Sequence, residues 1–351
     1  MTKGDIYTKE LIERILKEGT YDINPRPHYE DIYYNAVYDE KTNTIITEEN
    51  EVIELNKKSK VVKYDKEKVV VHTPAHTISI NNPGLLQYDL SKNETPLITL
   101  RPIAVKAAIA EILWIYQKES TDLVEFDELL NKRTWDDNKP LSENEINNWW
   151  KQWALRDKDG NYLLNEKNHP YIGSTYGEIV RKHKLVRNKL KEMHENPESR
   201  YHIINLWQYE DFEKPHGLKP CAFMTMWNIR HGQDNNDYLD MKLVQRSSDF
   251  LTAGCINQVQ YVTLQLLFAK HLGIKPGVFT WDVTNIQIYD RHIIQADELL
   301  NRQSVECRPE IVVNENVNNF YDFIVDDIKI KDYPRELIKK KNPQMKFDLG
   351  I

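Results

Sequence analysis

Apolar residues recur at three- and four-residue spacing in some stretches and alternate with polar ones in others. These two rhythms divide the chain into helices and strands. Residues 5–18 place Ile6, Leu11, Ile12, Ile15 and Leu16 near helical spacing, and Gly19 ends the pattern, so a surface helix with one packed face is expected. From 36 to 71, charged and β-branched residues alternate, which predicts peripheral strands, a hairpin or a partly mobile insertion. Short strands are expected at HTISI (76–80) and LLQYDL (85–90), with Pro83-Gly84 turning between them. AVKAAIAEILWIYQ (104–117) reads as a buried helix carrying one acid, Glu111. Residues 136–171 read as a polar, Trp- and Asn-rich excursion with a short helix near 142–154.

A helix is expected over 177–194, then strands at YHIINLW, AFMTMWNIR and YLDMKLVQRS. QVQYVTLQLLFAKHL (258–272) is a long apolar helix closed by Gly273, GVFTWDVTNIQIY a strand, and 292–301 a further helix. Strands and helices mix without a regular βαβ rhythm, which predicts α+β over a doubly wound sheet. No repeat, low-complexity tract or linker interrupts the chain. It reads as one domain, 1–351, with peripheral insertions near 36–71 and 136–171.

The length, 351 residues and 41.6 kDa, supports a large core. A mean hydropathy of −0.65 and no apolar run of about 18 residues give no membrane span, and the charged N-terminus has no signal-peptide core. A net charge of −7 argues against a dedicated nucleic-acid or anionic-membrane binder, while leaving room for a local phosphate pocket. The three cysteines, Cys221, Cys255 and Cys307, are too few for a disulfide framework and lack zinc spacing, so a reducing, cytoplasmic setting is expected.

Candidate chemistry is scattered. Cys221, in GLKPCAFMTMW, precedes a strand; a lone cysteine is more often inert than reactive, and reactivity needs nearby positive charge. QRSSD (245–249) supplies Arg246, two hydroxyls and Asp249. Glu111 on an apolar helix either reaches solvent at the helix edge or is buried, paired and fit for acid–base work. Arg26, Arg200 and Arg246 are candidate phosphate clamps, each weak alone. Pro74 between His72 and His76 breaks helical metal spacing, and Gly-rich phosphate loops are absent.

Taken together, these segments resemble the thymidylate synthase family, most strongly from GLKPCAF to TNIQIYDRH and again in the tail PQMKFDLGI. Pro-Cys, Arg-Ser-x-Asp, a downstream Asn and Ile-Tyr occur in the family's order and spacing. The chain is most similar to a divergent bacterial branch with Ala after the nucleophile. The resemblance implies a large mixed β-sheet covered by helices, with sheets packed back to back in a homodimer. It also implies reductive methylation of dUMP by 5,10-methylenetetrahydrofolate, with no metal.

By the same resemblance Cys221 is the nucleophile, Arg246 its neighbouring cation and phosphate ligand, Glu111 an organiser of proton transfer and Tyr176 a neighbour of the proton-abstracting water. Asn257 would read the pyrimidine edge. Ser247 would touch phosphate, Gln245 would bind dUMP and Tyr289 would meet the deoxyribose. Arg26 would reach the phosphate from a mobile loop, and Arg200 would cross to the partner's site. Asp249, Trp135 and the carboxylate of Ile351 would serve the folate, with Trp150 competing for the role of Trp135. Tyr201 and Gln287, also expected to bind dUMP, depart from the family pattern, where an arginine and a histidine are usual. A pyrimidine nucleotide hydroxymethylase and a noncatalytic nucleotide-binding homologue are the alternatives.

Overall fold

The computed structural model describes residues 1–25, 27–65, 67–130 and 146–350. The chain opens with helix α1 (Lys3–Glu18), capped by Thr2 and Asp5, which satisfy each other's backbone N–H groups. Eight strands and a ninth follow: β1 (Thr20–Tyr21), β2 (His28–Tyr34), β3 (Val37–Asp39), β4 (Thr44–Ile46), β5 (Val52–Glu54), β6 (Lys60–Tyr64), β7 (Lys68–Pro74), β8 (Thr77–Asn81) and β9 (Leu86–Asp89). Helices α2 (Val105–Tyr116), α3 (Leu123–Leu129), α4 (Gly177–His183) and α5 (Leu185–Glu195) lead to β10 (Ile203–Asn205), β11 (Ala222–His231) and β12 (Asp237–Asp249). Then come α6 (Cys255–Leu272), β13 (Lys275–Tyr289), α7 (Ile293–Asn301), the hairpin β14 (Glu310–Val313) and β15 (Ile328–Lys331), and α8 (Arg335–Lys341).

The main sheet is mixed, as α+β predicts. Its order is β1-β8-β13-β12-β11-β10, with β9 on the other half of β13, and β12 and β13 run parallel. Alternation decides which face is buried. On β13, Phe279, Trp281 and Val283 point into the core while Thr280, Asp282 and Thr284 point away. The inward face meets α6, which is buried almost all round, and α2 packs on α6 in turn. Trp227 stacks on Phe268 of α6 at 4.7 Å. Each such ring, fully buried, contributes about 2–3 kcal/mol. On the outward face of β11, Met226 is exposed.

Residues 36–71 form strands, as their alternation predicts. β2, β7 and β6 make one small sheet and β3, β4 and β5 another, around a separate cluster of Ala36, Ile45, Val69 and Val71. One expectation is corrected. The helix expected over 177–194 is two helices, broken at Lys184, whose φ of 51° is left-handed. No glycine or proline signals this break. The short helix expected at 142–154 is a 3₁₀ turn at Trp149–Trp153, and 131–145 lie outside the described residues.

Candidate active site

Cys221 sits between Pro220 and the first residue of β11, where pairing with β12 shifts by a bulge between Ala222 and Met224. Such bulges re-aim side chains at sheet ends. The Cys221 N–H donates to Tyr176 Oη at 3.0 Å. Arg246, on the neighbouring strand, donates its backbone N–H to Cys221 O at 2.9 Å. Its guanidinium is pinned by Pro220 O (3.0 Å) and Lys219 O (2.9 Å), which brings Nη2 to 3.3 Å from Cys221 Sγ. The Trp207 ring lies 5.9 Å from the same guanidinium. Burial pushes the Cys221 thiol up from its ordinary range, and the Arg246 charge opposes that rise.

Tyr176 caps α4 with φ 38° and ψ −107°, a conformation that costs a non-glycine residue about 1–3 kcal/mol. The strain points its ring into the site, 5.1 Å from Trp150, with the phenol buried within electrostatic range of Cys221, Glu111 and Arg246. Desolvation raises the phenol far above its usual range.

A wall of amides faces these groups. Glu111 is buried rather than at a solvated helix edge, with Oε2 unpartnered. Burial pushes its carboxyl up to about 7, against the amide of Gln260 and the indoles of Trp150 and Trp149. Asn257 Nδ2 donates to Gln260 Oε1 at 3.0 Å, and Asn257 Oδ1 accepts from Gln245 Nε2 at 3.1 Å. Gln245 also donates to Ser247 O and accepts from the Trp281 indole at 2.8 Å. Gln245 thus spends its amide on protein groups.

On the rim, Asp249 accepts from Thr252, and its other oxygen, Oδ1, is buried without a partner. Burial raises this carboxyl, opposed by Thr252, His292 and Arg101. Tyr289 is buried within range of Asp249 and Cys221, with Gln287 two residues back along the same strand. The tail closes over it: His292 Nε2 meets Asp348 O at 2.8 Å, and a Cβ built on Gly350 would fall 2.6 Å from the Tyr289 ring.

The structure therefore gathers Cys221, Arg246, Tyr176, Glu111, Asn257, Gln245, Ser247, Asp249, Gln287 and Tyr289. Arg200 and Tyr201 are exposed on the turn before β10. Arg26, Trp135 and Ile351 lie outside the described residues. Trp150 lies beside Tyr176 and Trp114. Gln260, Trp281 and Trp207 were not singled out from the sequence; a glutamine three residues after Asn257 on the same helix was the available signal.

The sequence matches the family model for thymidylate synthase over residues 55–345. The chain belongs to the thymidylate synthase family. Thymidylate synthase of Streptococcus gordonii is 38% identical over 353 positions, covering 100% of both chains. That of Streptococcus pneumoniae is 38% identical over 352 positions with the same coverage. In three dimensions the fold is similar to thermostable thymidylate synthase A from Bacillus subtilis, with a TM-score of 0.67, 24% identity and 99% of each chain covered. The synthase fold expected from the sequence is thus the one observed. No helix among the described residues is long and apolar enough to cross a membrane.

Proposed function

We propose that this chain converts dUMP to dTMP, drawing both the one-carbon unit and the hydride from 5,10-methylenetetrahydrofolate. The contact of Arg246 with the Cys221 sulfur at 3.3 Å, beneath the amide wall, is the observation that supports this most. Uracil C5 is a poor nucleophile. Cys221, as thiolate, adds to C6, and the displaced pair passes to C5 and O4 as an enolate. Asn257 keeps one N–H for O4 and one carbonyl lone pair for N3–H, so it stabilises the charge where it develops. When bound, the folate supplies a methylene electrophile to C5 and then a hydride.

Tyr176 orders the water that takes the C5 proton. Glu111, with a carboxyl near 7, holds or releases a proton beside O4 at neutral pH. Cys221 leaves C6 when the product forms. The unpartnered Asp249 Oδ1 suits the N–H donors of a pterin ring, and Trp150 offers an aromatic wall. Arg246 Nη1 makes no hydrogen bond to the described residues and, with Ser247, suits phosphate. The outward face of β11 and β12, with Met226 exposed, suits back-to-back packing in a homodimer. That dimer would carry the exposed Arg200 toward the partner's phosphate, with Tyr201 adding at most an uncharged hydrogen bond. Three free thiols suit a reducing cytoplasm.

Product identity tests the reading. With dUMP and the folate, mass analysis is expected to find dTMP and dihydrofolate, and dCMP in parallel should stay unchanged. A hydroxymethyl nucleotide with tetrahydrofolate would make it a hydroxymethylase; bound nucleotide with no product would make it a noncatalytic homologue.

A further inference from the structure

Helix α6 buries three glutamines, Gln258, Gln260 and Gln265. A buried amide has to find partners. Gln258 accepts from Tyr88 Oη and donates to Gly254 O, both at 3.0 Å. Gln265 donates to Leu239 O at 2.7 Å. Both tie the helix to its surroundings. Gln260 is placed differently: its Oε1 accepts from Asn257, and its amide end stands against the Glu111 carboxyl.

The direction of these bonds follows from chemistry. An indole N–H only donates, so Trp281 requires Gln245 to turn Oε1 toward it. The Nε2 of Gln245 then faces Ser247 O, which only accepts, and Asn257 Oδ1. Asn257 must present its oxygen to Gln245 and its nitrogen to Gln260. A reversed Asn257 would set nitrogen against nitrogen on one side and oxygen against oxygen on the other. Donors thus run one way, from Trp281 through Gln245 and Asn257 to Gln260, whose amide lies near enough to oppose the rise of the Glu111 carboxyl.

We propose that Gln260 is a positioning residue that, with Gln245, clamps Asn257 in the one amide orientation complementary to uracil and couples that orientation to the Glu111 carboxyl. The inference rests on the dUMP reading above and deepens it. Cytosine, which presents an amine at C4 and an acceptor at N3, needs the reversed amide. Because the Gln260 amide stabilises the Glu111 carboxylate, its loss raises the pH at which Glu111 ionises.

Three full-length variants test this, with the dUMP-to-dCMP affinity ratio and the pH profile of kcat/KM as readouts. Gln260→Leu removes both contacts and is expected to lower the ratio about tenfold, the loss of one well-made hydrogen bond, and to move the Glu111 limb upward. Gln260→Glu keeps the acceptor for Asn257 and removes the donor to Glu111. It should hold the ratio while moving the limb upward. Gln258→Leu should lower thermal stability and move neither readout. A Leu variant with a ratio within about twofold of the parent overturns the proposal, as does a Glu variant whose limb stays in place. If Gln260→Leu does not fold, Gln260→Glu still decides. A parent that binds dUMP selectively but never methylates it would sink the synthase reading, while the affinity ratio would still judge Gln260.

Discussion

The wall that faces the pyrimidine and the rim that faces solvent are held by different forces. Gln245, Gln260 and Glu111 are buried, and the amides of the wall are hydrogen-bonded within the protein. On the rim, Arg291 joins the peripheral sheet to the tail, gripping Asp31 through both nitrogens at 2.7 and 2.8 Å and reaching Asp348 at 3.4 Å. It also lies 3.9 Å over the Tyr29 ring, whose hydroxyl donates to Asp290 at 2.6 Å. Low-dielectric hydrogen bonds fix one geometry before substrate arrives. Half-exposed ion pairs contribute little each and can be remade. The wall therefore supplies recognition and chemistry, and the rim supplies closure. The β2-β7-β6 sheet is accordingly joined to the site through Asp31 and Tyr29 of β2, and trimming of 36–71, which removes the β2 partners β6 and most of β7, tests closure as much as folding.

Removing the nucleophile has the largest expected effect. Cys221→Ser should lower kcat by at least about 10³-fold and leave dUMP affinity nearly intact in equilibrium binding. Loss of binding in step with turnover would make Cys221 a packing residue.

Glu111→Gln separates chemistry from stability within the wall. Turnover should fall about 10²-fold or more. The folded chain holds this carboxyl near 7, against 4.5 for an unperturbed glutamate. Between those values the folded state binds more protons than the unfolded one, so the parent loses stability as pH rises. At 1.36 kcal/mol per unit the cost reaches roughly 3 kcal/mol by pH 8. Denaturant titrations should therefore show the variant gaining on the parent between pH 5 and pH 8. A constant difference would place Glu111 in a solvated setting.

Arg246→Ala lies where wall and rim meet. It removes a charge-assisted contact to phosphate worth about 1.5–3 kcal/mol, so the KM for dUMP should rise about tenfold or more. Alkylation of Cys221 should slow as well, because the opposing charge is gone. Unchanged values of both would remove Arg246 from the phosphate site.

The smallest effect belongs to the rim. Arg291→Met should raise the KM for the folate several-fold, in keeping with about 1 kcal/mol for a half-exposed ion pair, with dUMP affinity unmoved. Arg291 holds the Asp31 carboxyl below its usual range, so this contribution is present at neutral pH and fades as pH falls through the acid range where Asp31 protonates. A dUMP effect equal to the folate effect would dissolve the distinction between wall and rim.

The main sheet and α6 were legible because burial writes itself into period. Buried and less buried residues alternate on β13 from Gly277 to Thr284, and α6 is buried on nearly every side. The break at Lys184 was not legible, since lysine favours helices and only its backbone, left-handed and bonded to Val180 O and Arg181 O, marks the turn. Cys221, Glu111, Arg246 and Asn257 could be picked out by residue type and the family's order. Whether Glu111 was buried could not, because that depends on α6 and Trp150 closing over it. The role of Gln260 was hidden for the same reason: an amide acquires meaning from partners on other elements, here Asn257 and Glu111, whose proximity is a property of the fold.

Exchange at C5 tests the central claim most directly. Addition of Cys221 to C6 is what loosens the C5 hydrogen, so dUMP carrying deuterium at C5 reports on that bond. With the folate present, the parent should release one deuterium to water for each dTMP formed, and Cys221→Ser should release none. Release by the serine variant at the parent's rate would show that C5 is activated without Cys221, and would contradict the account.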